Sequence, residues 1–245
     1  MESHREVAGR VRVDVPAAGE VLIARFAAEQ ERAQRAELGK LLSADERRRA
    51  DRYRFDGDRD RFVVARARLR LLLAALGAGA PARIQFAHGA RGKLWLPAHP
   101  ELQFNVSHAG GLVVVAVAWR VEVGVDVEPL ERHRRQDEAA ERFFSLAERS
   151  ALARLHEPER AAAVLRCWCR KEAYLKARGE GLARRLDSFD VATDEPSDGA
   201  ASLLLATRPD AAEAAAWHVR DLDVGAGYAA ALALPGRMPR LRMLT

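Results

Sequence analysis

Ser43-Ala44-Asp45-Glu46 and Ser145-Leu146-Ala147-Glu148 are one device written twice. In each, a serine precedes a glutamate by three residues. The serine oxygen can accept from an early helix amide while the glutamate reaches back to the serine N–H. A short helix is predicted after each, to about Tyr53 and about His156. A longer helix then opens at Asp58 in the first copy and near Glu159 in the second. Gly77 and Gly179 mark the ends, since glycine tolerates the left-handed backbone found just past a helix. In the first long helix Phe62, Ala65, Leu69, Leu72, Leu73 and Leu76 fall on one stripe at helical spacing. Ser43 to Ser145 and Gly77 to Gly179 are the same separation, 102 residues. Two helix pairs at one offset predict an internal duplication.

Strand-like segments follow each pair. In the first half they are Arg83 to Phe86, Leu102 to Val106 and the wholly apolar run inside Leu112 to Trp119. Val121 to Val127 starts the second half, which continues with Ser188 to Ala192, Ser202 to Ala206, Trp217 to Leu222 and Tyr228 to Leu234. Asp194 to Ala201 reads as a polar loop. The expected fold is α+β, two pseudo-symmetric halves, each a small sheet packed against a long helix. The halves are residues 1–119 and 120–234, joined near Arg120, with a basic, poorly ordered tail at 235–245.

The 245 residues suit this arrangement, and a hydrophobic content of 49% supplies a sizeable core. No run of 18 or more apolar residues occurs, so no membrane span is expected. The first twenty residues lack an apolar signal core, and the expected location is the cytoplasm. Cys167 and Cys169 point in different directions on a helix and read as small packing residues rather than a disulfide or zinc site. The net charge of +5 and pI of about 9.7 favour anionic partners.

In Val121-Glu122-Val123-Gly124-Val125-Asp126-Val127-Glu128 the valines share one face of a strand. Gly124, Asp126 and Glu128 share the other, with Gly124 leaving open space. Two carboxylates two residues apart can grip one hard cation, and they can equally form the solvated face of an edge strand. In Cys167-Trp168-Cys169-Arg170-Lys171-Glu172-Ala173-Tyr174-Leu175-Lys176, Glu172 lies on a stripe with Leu165, Trp168 and Leu175. A carboxylate there needs a partner: a metal shared with Asp126 and Glu128, or Lys176 one turn on. Gly92-Lys93 and Ser107-His108-Ala109-Gly110-Gly111 offer backbone amides, a hydroxyl and cations to an anion, or are ordinary turns. Arg61, Arg66 and Arg70 line the first long helix.

Together these segments resemble the 4′-phosphopantetheinyl transferase family, in particular the monomeric, surfactin-synthetase-activating type. The resemblance rests on Phe104-Asn105-Val106-Ser107-His108, Gly124-Val125-Asp126-Val127-Glu128 and Trp168 to Lys176 with Gly179 and Gly181-Leu182. It reaches back through Leu42-Ser43, Asp58 to Arg61 and Gly92-Lys93. The chain departs from the family at Leu94, where proline is usual, and at Ala109, where many members have serine or threonine. The resemblance implies coenzyme A bound between the halves. It implies a magnesium ion, with manganese possible, held by Asp126, Glu128 and Glu172 in the C-terminal half. It implies adenosine-end phosphates held by Arg61, Lys93, Ser107 and His108, and Lys176 on the pyrophosphate. Glu172 and Lys176 would be the catalytic pair. The implied reaction moves 4′-phosphopantetheine from coenzyme A to a serine of an apo carrier protein (acyl, polyketide or peptidyl), releasing 3′,5′-ADP. The rival is a magnesium-dependent phosphodiesterase or other phosphate-transfer enzyme acting on a nucleotide. A nucleic-acid partner is not expected, because no basic strand is interleaved with aromatics.

Overall fold

The structure, a computed structural model, describes residues 5–7, 10–28, 31, 34–131, 134–194 and 202–244. In the first half a ribbon of β1 (Arg5–Val7) and β2 (Arg10–Arg12) precedes β3 (Glu20–Ala27). Helices α1 (Arg35–Gly39), α2 (Ala44–Asp51) and α3 (Asp56–Ala75) follow. Then come a ribbon of β4 (Ala87–His88) and β5 (Leu94–Trp95) and a hairpin of β6 (Leu102–Ala109) and β7 (Leu112–Trp119). The second half runs β8 (Gly124–Pro129), α4 (Arg134–Phe143), α5 (Leu146–Leu152) and α6 (Glu159–Arg178). It continues with β9 (Phe189–Val191), β10 (Leu204–Thr207), α7 (Ala212–Ala216), β11 (Trp217–Asp221), β12 (Tyr228–Pro235) and β13 (Arg240–Leu244).

The main sheets are ordered β13-β3-β7-β6 and β11-β12-β8. Without β13, the order β3-β7-β6 repeats as β8-β12-β11, so the duplication extends from the helices to the strands. The two sheets bury a shared layer between them, including Ile23, Val114, Ala116, Val125, Val127 and Leu232. The outer face of the first sheet packs on α3 through Leu22, Phe104, Val115, Leu69 and Leu73. The outer face of the second packs on α6 through Ala231, Ala233, Val164 and Leu175. The order is therefore helix, sheet, sheet, helix. No described helix is long and apolar enough to cross a membrane.

The repeat extends to single contacts. Both capping boxes form: Glu46 N–H donates to Ser43 Oγ and Glu148 N–H to Ser145 Oγ, each at 3.2 Å. Each capping glutamate also meets a buried cation from the long helix. Arg70 Nη2 lies 2.7 Å from Glu46 Oε2, and Lys171 Nζ lies 2.7 Å from Glu148 Oε1. Arg70 donates onward to the carbonyls of Pro81 and Ile84, and Lys171 to those of Leu186 and Phe189. In both halves one cation thus ties the short helix, the long helix and the following 3₁₀ turn together. Burying a cation is tolerable only when its donors are taken up in this way.

Two expectations are corrected and one unassigned strand is added. Arg83 to Phe86 is no strand: Pro81–Arg83 is a 3₁₀ turn, and the Arg70 guanidinium takes the nearby carbonyls. Glu20–Ala27, unassigned from the sequence, is β3, with Val21 to Ala24 buried. The tail is not poorly ordered. Residues 240–244 form β13, parallel to β3, with Leu241 opposite Val21 and Met243 opposite Ile23. Its arginines hide an alternation in which Leu241 packs on the shared core while Arg242 Nε lies 3.4 Å from Glu20 Oε2. The C-terminal residues thus belong to the first sheet. The polar loop expected at 194–201 lies, beyond Asp194, outside the described residues. Arg120, at the expected junction, has a left-handed backbone (φ 58°), and its N–H donates to Glu101 O at 2.6 Å.

Candidate functional site at the seam between the halves

The outer edge of β8 meets the outer edge of β6. Asn105 Oδ1 accepts from Val125 N–H at 3.1 Å, so a side chain of the first sheet takes the place of a neighbouring strand. Val123, just before β8, and Val125 and Val127 within it are buried in the shared layer. The alternation therefore turns Gly124, Asp126 and Glu128 toward α6. The space expected beside Gly124 is filled. A Cβ there would lie 2.1 Å from Ala173 O and 2.2 Å from Ala177 N. The glycine lets α6 lie directly on β8, which brings Glu172 and Lys176, one turn apart, against Asp126.

Asp126 is buried. Its Oδ1 accepts from Lys176 Nζ at 2.6 Å and from Ser107 Oγ at 2.9 Å. Lys176 Nζ also donates to Ser107 Oγ at 3.0 Å. Asp126 Oδ2 and Glu172 Oε1 are buried without a hydrogen-bond partner. Burial first, and then the charge of Asp126, push the Glu172 carboxyl up to about 7, against the opposing pull of Lys176. Burial works against the Lys176 ammonium, but Asp126 and Glu172 outweigh it and raise its pKa. Cys169 lies behind this cluster, its Sγ 3.4 Å from Ala229 O, and burial holds its thiol protonated. Cys167 is likewise buried and free.

The alternation of β6 sends Ser107 and His108 to opposite faces. Ser107 joins the Asp126 cluster. His108 is pushed down to about 4 by burial of its ring and by Lys176, Arg61, Arg66 and Arg49. The residue as a whole is exposed, so the surrounding cations are the firmer cause. Arg61 is paired with Asp58 on α3. Lys93 pairs with Glu122 and donates to Ala177 O at 2.7 Å, pinning the β4–β5 ribbon to the end of α6. Burial lowers the Lys93 pKa despite Glu122.

Beside the cluster is a cavity of about 270 Å³ whose lining includes Arg49, Arg66, Arg91, Lys93 and Lys176. Both halves contribute to it, the second through Leu175, Lys176, Gly179 and Gly181. The sequence reading picked Lys93 and Lys176 and missed Arg49 and Arg91. Arg49 belongs to the basic face of α2, which looks like any solvated surface. Arg66 lies over the rings of Phe62 and Phe86, with its Nη1 buried and unpaired, and its pKa falls to about 10 through burial. A cavity with this lining suits a polyanion.

The donor set at Asp126, Glu128 and Glu172 is all hard carboxylate oxygen, and the two orphaned buried oxygens suit a divalent cation. Among the described residues no three carboxylate, imidazole or thiol groups are already gathered as a metal cage. Lys176 stands on Asp126 instead.

The raised Glu172 pKa carries a stability consequence. The folded state keeps a proton that the unfolded state releases above about 4.5, so stability falls as pH rises toward 7. Without coenzyme A or divalent cations, Glu172→Gln should remove this slope. By pH 8 it should be more stable than the parent by up to about 3 kcal/mol, at 1.36 kcal/mol per pKa unit. Urea titrations from pH 4.5 to 8 check this, and parallel curves for the two proteins would contradict it.

Two family profiles tile the chain on either side of the junction. The 4′-phosphopantetheinyl transferase N-terminal profile matches residues 29–120, and the 4′-phosphopantetheinyl transferase superfamily profile matches residues 122–233. The chain is 33% identical over 220 residues to the 4′-phosphopantetheinyl transferase HetI of Nostoc sp., covering 89% of this chain and 88% of that one. It is 31% identical over 182 residues to a 4′-phosphopantetheinyl transferase of Bacillus subtilis, covering 74% and 78%. It is 33% identical over 175 residues to the transferase psf-1 of Bacillus pumilus, covering 71% and 72%. With its halves repeated in helices, strands and anchoring cations, and its buried acids at their seam, the chain belongs to the 4′-phosphopantetheinyl transferase superfamily.

Proposed function

We propose that the protein transfers the 4′-phosphopantetheine arm of coenzyme A to a serine of an apo carrier protein and releases 3′,5′-ADP. The observation that carries this is the Asp126–Lys176–Glu172 cluster beside a cation-lined cavity at the seam. Asp126, Glu128 and Glu172 would hold a magnesium ion, which when bound neutralises charge on the pyrophosphate oxygens. The carrier hydroxyl attacks the β-phosphorus, and the bond from that phosphorus to the oxygen of the departing 3′,5′-ADP breaks. Glu172, beside the site where the hydroxyl would lie, accepts the serine proton. Lys176 donates a charge-assisted hydrogen bond to the leaving nucleotide. Arg49, Arg66, Arg91 and Lys93 offer the adenosine-end phosphates a basic wall. The surface charge suits an acidic carrier, and the enzyme would act as a cytoplasmic monomer. The phosphodiesterase reading finds no support in the family matches.

Mass spectrometry of apo-carriers from fatty-acid, polyketide and peptide synthases, after incubation with coenzyme A and magnesium, tests the reaction. No carrier gaining the arm, or 3′,5′-ADP released from coenzyme A alone, would overturn it. The basic wall makes its own prediction. Coenzyme A should raise the melting temperature more than dephospho-coenzyme A does, because a ligand that binds only the folded state stabilises it in proportion to its affinity. Equal shifts would remove the 3′-phosphate from this wall.

A further inference from the structure

Lys176 stands between a buried carboxylate and a cation-lined cavity. On one side its ammonium rests on Asp126 Oδ1 at 2.6 Å and Ser107 Oγ at 3.0 Å. On the other it lines the basic cavity. Its side chain is 29% exposed and that of Asp126 only 6%, so the lysine is the partner with room to move. Asp126 is the carboxylate a divalent cation would need, and one of its oxygens is already satisfied by Lys176 and Ser107. A dication on the remaining Oδ2 would share one carboxylate with an ammonium in a water-poor site, where like charges repel strongly.

We propose that Lys176 is a placeholder cation: its ammonium neutralises Asp126 until a pyrophosphate in the cavity draws it away, so that the divalent cation and coenzyme A bind with strong positive coupling. The inference rests on the functional reading above and adds a binding sequence to it. Neither Asp126 nor Lys176 is left unpaired at either stage. Without the nucleotide, Asp126 holds the lysine. With it, the lysine holds the pyrophosphate and Asp126 is released to the metal. Linkage requires the effect to be reciprocal, the cation tightening coenzyme A by the same factor.

The test is manganese binding, read by electron paramagnetic resonance of free Mn²⁺, on the full chain with and without coenzyme A and without any carrier. The direct affinity of Mn²⁺ for coenzyme A is measured separately and subtracted. The parent should bind Mn²⁺ at least about tenfold more tightly when coenzyme A is present, within the usual range of coupling between sites. Lys176→Met should bind Mn²⁺ about tenfold more tightly than the parent in the absence of coenzyme A, with the coupling reduced. Equal Mn²⁺ affinity of the parent with and without coenzyme A would overturn the placeholder, and this result does not depend on the variant folding. A folded Lys176→Met protein with the affinity and coupling of the parent would also overturn it. Separate, uncoupled binding of both ligands leaves the transferase reading standing. Failure of coenzyme A to bind in any condition would overturn both.

Discussion

Glu172→Gln should lower kcat by at least roughly two orders of magnitude at saturating coenzyme A and carrier, the usual scale for losing a general base. The substitution keeps the size of the side chain and removes both its charge and its basicity. Glu172 is placed by α6 lying on β8, and its Oε1 is buried without a partner, so an amide should fit with little rearrangement. Coenzyme A binding should survive better than turnover, since the cavity lining offered to the phosphates is Arg49, Arg66, Arg91 and Lys93. Single-turnover kinetics and equilibrium binding separate the two. A variant with near-normal turnover would reduce Glu172 to a partner of Lys176 and take the base away from it.

Gly124→Ala should damage both stability and activity. The added Cβ would meet Ala173 O and Ala177 N, both backbone atoms of α6, so no flexible side chain can move aside. The helix and strand must part. Overpacking of this kind costs about 1–3 kcal/mol, and a shift of about 1 Å at a reacting site can cost about 100-fold in rate. The loss in kcat should therefore appear in a protein that still folds, which urea denaturation and turnover measure together. Parent-like stability and rate would show that α6 has freedom the packing does not suggest.

The legible parts of the chain were those governed by local rules. The capping boxes, the 20-residue α6 and the buried stripe of α3 follow from spacing alone, and the common offset of the two copies gives the duplication. The alternating valines fixed which face of β8 carries Asp126. What spacing could not show was what fills that face. Gly124 reads as open space until α6 is laid on it. Ser107 and His108, adjacent in sequence, separate because β6 is a regular strand. Lys93 reads as a free cation until Glu122 and Ala177 O claim it. β13 was hidden by its arginines, and the Arg49 side of the cavity by the ordinary look of a basic helix face. These depend on contacts between segments far apart in sequence.

The C-terminal strand sets the two free edges of the repeat apart. A twofold repeat generates two equivalent grooves, one where the free edge of β8 meets β6 and another where the free edge of β3 would meet β11. In the first groove the edge is met only by side chains, Asn105 capping Val125 N–H, and room remains for substrate. In the second, β13 runs along β3 for five residues and takes up that edge with its own backbone. Residues 240–244 thus make the two edges of the repeat unequal, one closed by backbone pairing and the other left to side chains.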